Sequence, residues 1–90
     1  MEIKKIMCCC GSGLGSSMLV HMNVEKVLNK LGKSGVEVTH SSLSDASETA
    51  ADLIVVGKDL AAFVGHLPRK IVLDNIMDLN ELENKLKEWF

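Results

Sequence analysis

Residues 53–57, LIVVG, are apolar without a break. A strand that wets one face alternates apolar and polar residues, whereas one buried on both faces of a parallel sheet does not. This segment therefore predicts a central parallel strand, and the rest of the chain must supply its neighbours and its covers. Residues 2–9, EIKKIMCC, read as a strand that turns apolar toward its end, and residues 10–16 as a Gly-rich turn. From Ser17 the pattern is helical, with Val20, Val24, Val27, Leu28 and Leu31 on one stripe and Gly32 as C-cap. VEVTH, 36–40, alternates as a half-exposed edge strand does, and residues 41–52 hold a short turn or helix with Ser44 as a possible N-cap. KDLAAFVGHLP, 58–68, gives a short helix ended by Gly65 and Pro68, and KIVLDN, 70–75, the last strand. DLNELENKLKEWF, 78–90, closes as a helix, with Asp78 and Glu81 at capping-box spacing and Leu79, Leu82 and Leu86 on its buried side.

Strand and helix alternate throughout, which predicts an α/β fold: one four-stranded parallel sheet with helices on both faces, Rossmann-like, and right-handed crossovers. An edge-like second strand and a central third give the order 2-1-3-4. No linker or repeat divides residues 1–90, so a single domain is expected. In such a sheet ligands bind at the carboxyl ends of strands 1 and 3, where the order reverses. The Gly-rich turn falls at that point.

The net charge of −2 and the scattered lysines argue against nucleic acid as a partner. No apolar run approaches the roughly 20 residues of a membrane span. MEIKKIMCCC also lacks the apolar core of a secretory signal. A cytoplasmic protein with reduced thiols is the expectation.

The turn itself, CCCGSGLGSS, residues 8–17, admits few chemistries. Adjacent cysteines in a strand point to opposite faces, so Cys8, Cys9 and Cys10 do not close on one metal ion, and His21, His40 and His66 show no ligand spacing. A dithiol redox site wants C-x-x-C, which is absent. Cys8 and Cys9 read as small core residues on the two sides of the strand. The glycines at 11, 13 and 15 miss the G-x-G-x-x-G spacing of a dinucleotide loop, and no Lys completes a P-loop. What remains is a thiol followed by glycines at a helix start. Glycines let backbone N–H groups converge on a small anion, and the helix terminus adds about half a positive charge. Ser16 or Ser17 serves as cap and as a hydroxyl to phosphate. The same field favours the Cys10 thiolate.

A thiol and a phosphate cradle together suit three readings: a carrier of an S-phosphoryl group, a Cys-dependent phosphatase, or a non-catalytic anion-binding regulatory domain. The low-molecular-weight tyrosine phosphatases share the expected architecture, but such enzymes read C-x5-R, with the Arg forked onto phosphate. Counted from Cys10 that position is Ser16, and the only arginine, Arg69, precedes strand 4 at the opposite end of the sheet. The missing cation favours the carrier.

The segment strand–CGSGLGSSM–helix resembles the IIB component of the sugar phosphotransferase system, within its lactose/cellobiose/galactitol-like fold group. The likeness is greatest to the ascorbate-type IIB proteins and extends through SSMLVHMNVEKVL, 16–28; the mannitol branch shares C-x-x-G-x-G-S-S. The extra cysteines at 8 and 9 are not part of that motif. The resemblance implies that Cys10 accepts the phosphoryl group and that Gly11, Ser12, Gly13, Leu14, Gly15, Ser16 and Ser17 cradle it. It implies a phosphohistidine IIA phosphocarrier as donor, a sugar held by the membrane IIC transporter as recipient, and no cofactor or metal. Met18 and Met22 read either as an apolar docking rim or as core packing. His21 reads as a solvated side chain, His40 as structural, and Lys58 as either solvated or lending charge to phosphate. The charges of the last helix, from Glu81 to Glu88, read as a solvent face.

Overall fold

The computed structural model describes residues 3–10, 14–33, 35–42, 46, 47 and 49–90, with the side chains of residues 10, 14–17 and 42 outside that description. Four strands, β1 (Lys5–Cys10), β2 (Glu37–Ser42), β3 (Leu53–Gly57) and β4 (Lys70–Leu73), form one parallel sheet in the order β2-β1-β3-β4. Two α-helices, α1 (Leu14–Lys30) and α2 (Leu79–Lys87), follow β1 and β4, and a 3-10 helix, Lys58–Val64, follows β3. The expected α/β class and strand order are those observed.

LIVVG is buried at every residue, as its unbroken apolarity required. Period-two alternation divides the strands between two cores. On one face Ile6, Cys8, Leu53, Val55, Ile71 and Leu73 pack against Val20, Val24, Val27 and Leu28 of α1 and Leu82 and Leu86 of α2. On the other, Met7, Cys9, Ile54 and Val56 pack under Leu60, Val64 and Leu67. Each of the large side chains contributes roughly 2 kcal/mol by leaving water. Cys8 and Cys9 thus lie on opposite faces, as adjacent strand residues must.

Both α-helices cover the same face, and the second face is covered by the 3-10 helix. KDLAAFV therefore makes a tighter coil than the sequence suggested, with no side-chain cap at Gly57 to support an α-turn. The expected N-cap Ser44 lies outside the described residues. α1 ends as expected at Gly32, in a Schellman motif. Gly32 has φ of 71°, its N–H reaches the Asn29 carbonyl at 3.2 Å, and the Lys33 N–H reaches the Leu28 carbonyl at 2.9 Å.

Asp78 caps α2, its carboxylate accepting from the N–H groups of Asn80 and Glu81. The other half of the expected capping box differs. The Glu81 carboxylate reaches past the cap to accept from the N–H groups of Asp74 at 2.7 Å and Asn75 at 3.0 Å, and pairs with Lys85 at 2.7 Å. It thereby holds the turn out of β4. At the amino end of the sheet the Asp52 carboxylate accepts from the N–H groups of Lys4 and Lys5, and Arg69 Nε donates to the Asp52 carbonyl at 2.7 Å. One residue there ties the entrances of β1, β3 and β4 together.

Candidate active site

β1 pairs with β2 as far as Cys10↔Ser42, but its pairing with β3 stops at Cys8↔Val55. The two central strands part at their carboxyl ends, between the crossovers that run to opposite sides. This is the switch point where an open parallel sheet binds ligands. Cys10 is the last residue of β1 and so stands at its mouth. Gly11, Ser12 and Gly13 lie outside the described residues, as do the side chains of Cys10, Leu14, Ser16 and Ser17.

The helix begins earlier than expected. α1 starts at Leu14, not Ser17, so Leu14, Gly15, Ser16 and Ser17 form its first turn. Ser16 and Ser17 are therefore inside the helix and not at its N-cap, a correction to the sequence reading. Leucine is a good helix former, and the bonds gained by extending the helix offset the cost of one internal glycine, about 1 kcal/mol. The correction has a chemical consequence. The first four N–H groups of any α-helix lack intrahelical acceptors, and these belong to that turn. A helix of 17 residues also sets its positive end there.

Around this end of the sheet, α1 exposes Met18 and Met22, 48% and 50% accessible, which decides for surface over core at both positions. Met77, in the turn from β4 to α2, is 65% accessible. Lys58 follows β3 directly and is exposed. The turn packs closely on β3, since a Cβ at Gly57 would stand 3.3 Å from Ile76 Cγ2 and 2.8 Å from the Asp59 carboxylate. Arg69 enters β4 at the opposite end of the sheet, as expected, far from any role at Cys10.

His21 is not the solvated side chain the sequence suggested. Its Nδ1 lies 2.8 Å from Nδ1 of His40, with ring centroids 4.9 Å apart, and its Nε2 lies 3.4 Å from the Glu25 carboxylate. The signal was present in the pattern. His40 falls on the Val36/Val38 side of its strand, which faces α1, and His21 stands one turn before Val24.

Cys8 is fully buried, and loss of hydration pushes its thiol up to about 12, with the charges of Cys9 and Glu25 acting in the same direction. It is an inert core thiol. Among the described residues no group of three or more His, Cys, Asp or Glu is placed to hold a metal ion. None of the described helices is long and apolar enough to cross a membrane.

Residues 5–88 match the family described as "PTS system, Lactose/Cellobiose specific IIB subunit". The chain is 35% identical over 86 residues to the ascorbate-specific PTS system EIIB component of Mycoplasma pneumoniae, an overlap of 92% of this chain and 90% of that protein. Among solved structures, the lactose-specific IIB component domain of the phosphoenolpyruvate:carbohydrate phosphotransferase system from Streptococcus pneumoniae is similar with a TM-score of 0.51 at 16% identity, covering 98% of this chain and 91% of that one. At that identity the likeness speaks to the fold alone.

Proposed function

The chain belongs to the lactose/cellobiose-specific IIB subunit family of the sugar phosphotransferase system, and is a phosphotransferase component; from that premise we propose that Cys10 is the residue that carries the phosphoryl group. The observation that carries this reading is the position of Cys10, at the end of β1 where β1 and β3 separate and four residues before the start of α1.

The thiolate attacks phosphorus of a phosphohistidine on a IIA partner. The S–P bond forms as the N–P bond breaks, and the imidazole leaves with the electron pair. In the second step a sugar hydroxyl held by the membrane IIC transporter attacks the same phosphorus. The O–P bond forms, the S–P bond breaks, the hydroxyl proton passes to a base on the transporter side or to water, and the thiolate is restored. Positioning and N–H groups of the Gly11–Ser17 segment supply the stabilisation, as expected for a phosphoryl transfer with little covalent work for the protein. With no arginine to fork onto the phosphoryl, hydrolysis gains less help than transfer. The exposed Met18 and Met22 form an apolar rim for the two partners in turn. The protein acts as one domain, residues 1–90, on the cytoplasmic side. The Mycoplasma relative makes ascorbate the first sugar to test.

The test is incubation with a phosphohistidine donor protein, followed by mass spectrometry. One phosphoryl group should appear on Cys10 and none on Cys8 or Cys9. Cys10→Ser should abolish acceptance while leaving the circular dichroism spectrum unchanged. Steady hydrolysis of an aryl phosphate by the isolated chain would replace the carrier with a phosphatase.

A further inference from the structure

The His21–His40 contact joins α1 to β2 beside the mouth of the sheet, and the transfer reaction as written makes no use of it. Two imidazole nitrogens 2.8 Å apart must share a proton, because two lone pairs or two N–H groups facing each other at that distance repel. The Glu25 carboxylate opposite His21 Nε2 favours a proton on that nitrogen. The neutral pair is then His21 Nε2–H with His40 Nδ1–H donating to His21 Nδ1. Such a pair holds one further proton and no more. A proton arriving from water at His40 Nε2 allows the shared proton to move across to His21, and the imidazolium so formed faces Glu25.

The pair is close to where charge changes. His40 is the register partner of Cys8, and Ser42, two residues on, is the register partner of Cys10. Strand geometry puts the Cα atoms of His40 and Cys10 about 8 Å apart. A phosphoryl group brings nearly two negative charges to that end of the sheet. The other charged groups around the pair are few. On α1 there is Glu25, and on β1 there is Cys8, which its burial keeps neutral. On β2 the described charge is Glu37, paired with Lys5 at the far end of the strand. On α2, Glu83 is engaged by Lys30, at the last residue of α1, and by Lys87.

We propose that the hydrogen-bonded His21–His40 pair, backed by Glu25, takes up one proton from water when Cys10 becomes phosphorylated and so offsets part of the new charge. The proposal rests on the phosphocysteine reading above. Two charges acting across roughly 8–10 Å favour the protonated pair over the neutral one by about three- to tenfold. By linkage the phosphoprotein is favoured by that factor more where the pair is protonated than where it is neutral.

The experiment follows the histidine Cε1–H resonances of the full chain by NMR from pH 5 to 9, before and after phosphorylation by a phosphohistidine donor, with the phosphoryl on Cys10 verified by mass. The expected result is an upward move of the His21/His40 midpoint in the phosphoprotein, while His66, in the turn beyond the 3-10 helix, stays in place. In the His21→Gln/His40→Gln chain, which leaves no imidazole at this position, the phosphotransfer equilibrium should lose the three- to tenfold pH dependence that the parent shows with the same donor. A phosphorylated chain whose His21 and His40 midpoints do not move overturns this inference alone. A chain that takes no phosphoryl on Cys10 overturns the carrier reading, and this inference with it.

Discussion

The three adjacent cysteines offer an internal comparison, since they share a strand and differ only in surroundings. Cys8 is fully buried with its thiol pushed up to about 12. An ordinary thiol titrates near 8.5, so at pH 7.5 about a tenth of it is thiolate. For Cys8 the thiolate fraction is roughly 3,000-fold smaller, before burial further slows access. Cys9 is 3% exposed under the 3-10 helix and is limited by access in the same way. Cys10 ends β1 ahead of α1, and the positive end of that helix is expected to favour its thiolate over its thiol. Pulse labelling of the native chain with iodoacetamide, with fragment-ion mapping of the modified residue, reads these ratios directly. Cys10 should label at least a thousandfold faster than Cys8, and the three should converge in 8 M urea. Equal rates in the native chain, or a Cys10 that labels faster in urea than when folded, would mean that the end of β1 does not lie in a field favouring a thiolate.

Gly32→Ala should cost about 1 kcal/mol in urea unfolding, with function unaffected, since nothing lies within 4 Å of the added methyl and the penalty comes from holding φ at +71°. Glu81 is held at about 2 in the folded chain, chiefly by Lys85 and then by the Asp74 and Asn75 N–H groups. A folded value below the unfolded one, near 4.3, stabilises fully above about pH 5 and less as pH falls toward 2. The stability difference between the parent and Glu81→Gln should be roughly 2 kcal/mol at pH 7 and shrink through that interval, as followed by urea midpoints at successive pH values.

The strands were legible because burial writes itself into apolar patterning. LIVVG, buried on both faces, cannot alternate, and VEVTH, covered on one, must. The close of α1 was legible because only glycine takes φ of 71° without strain. The start of α1 was not, because glycines and serines speak for a turn locally and the gain from extending the helix is a property of the whole helix. Glu81 shows a similar limit. Capping-box spacing identified the residue, but the length of the turn from β4 placed its carboxylate on Asp74 and Asn75 instead of on the cap. His21 and His40 are separated by 19 positions in the chain, and only the crossover from α1 to β2 makes them neighbours. Each of these misses concerns where a side chain or helix end meets another element: the pattern gives the face a residue lies on, as it does for His21 and His40, but not the partner it meets there.

The placement of Cys10 follows from how the sheet divides its hydrogen bonds. β1 keeps its bonds to β2 through Cys10 and gives up those to β3 after Cys8. The reason lies in the crossovers: α1 leaves β1 toward one face and the 3-10 helix leaves β3 toward the other, so the chains must separate before they turn. Cys8 and Cys9 are both buried, one in each of the two cores. At Cys10 the strand still pairs with β2, at Ser42, and has no paired partner in β3. The pairing with β2 therefore fixes the backbone of Cys10 beyond the point where β1 and β3 have parted. In the Cys10→Ser chain the next thiol along the chain is that of Cys9. Phosphoryl acceptance should not pass to it, because Cys9 is buried under the 3-10 helix; a phosphoryl group found on Cys9 by mass mapping of that variant would show that burial does not confine the chemistry to one position.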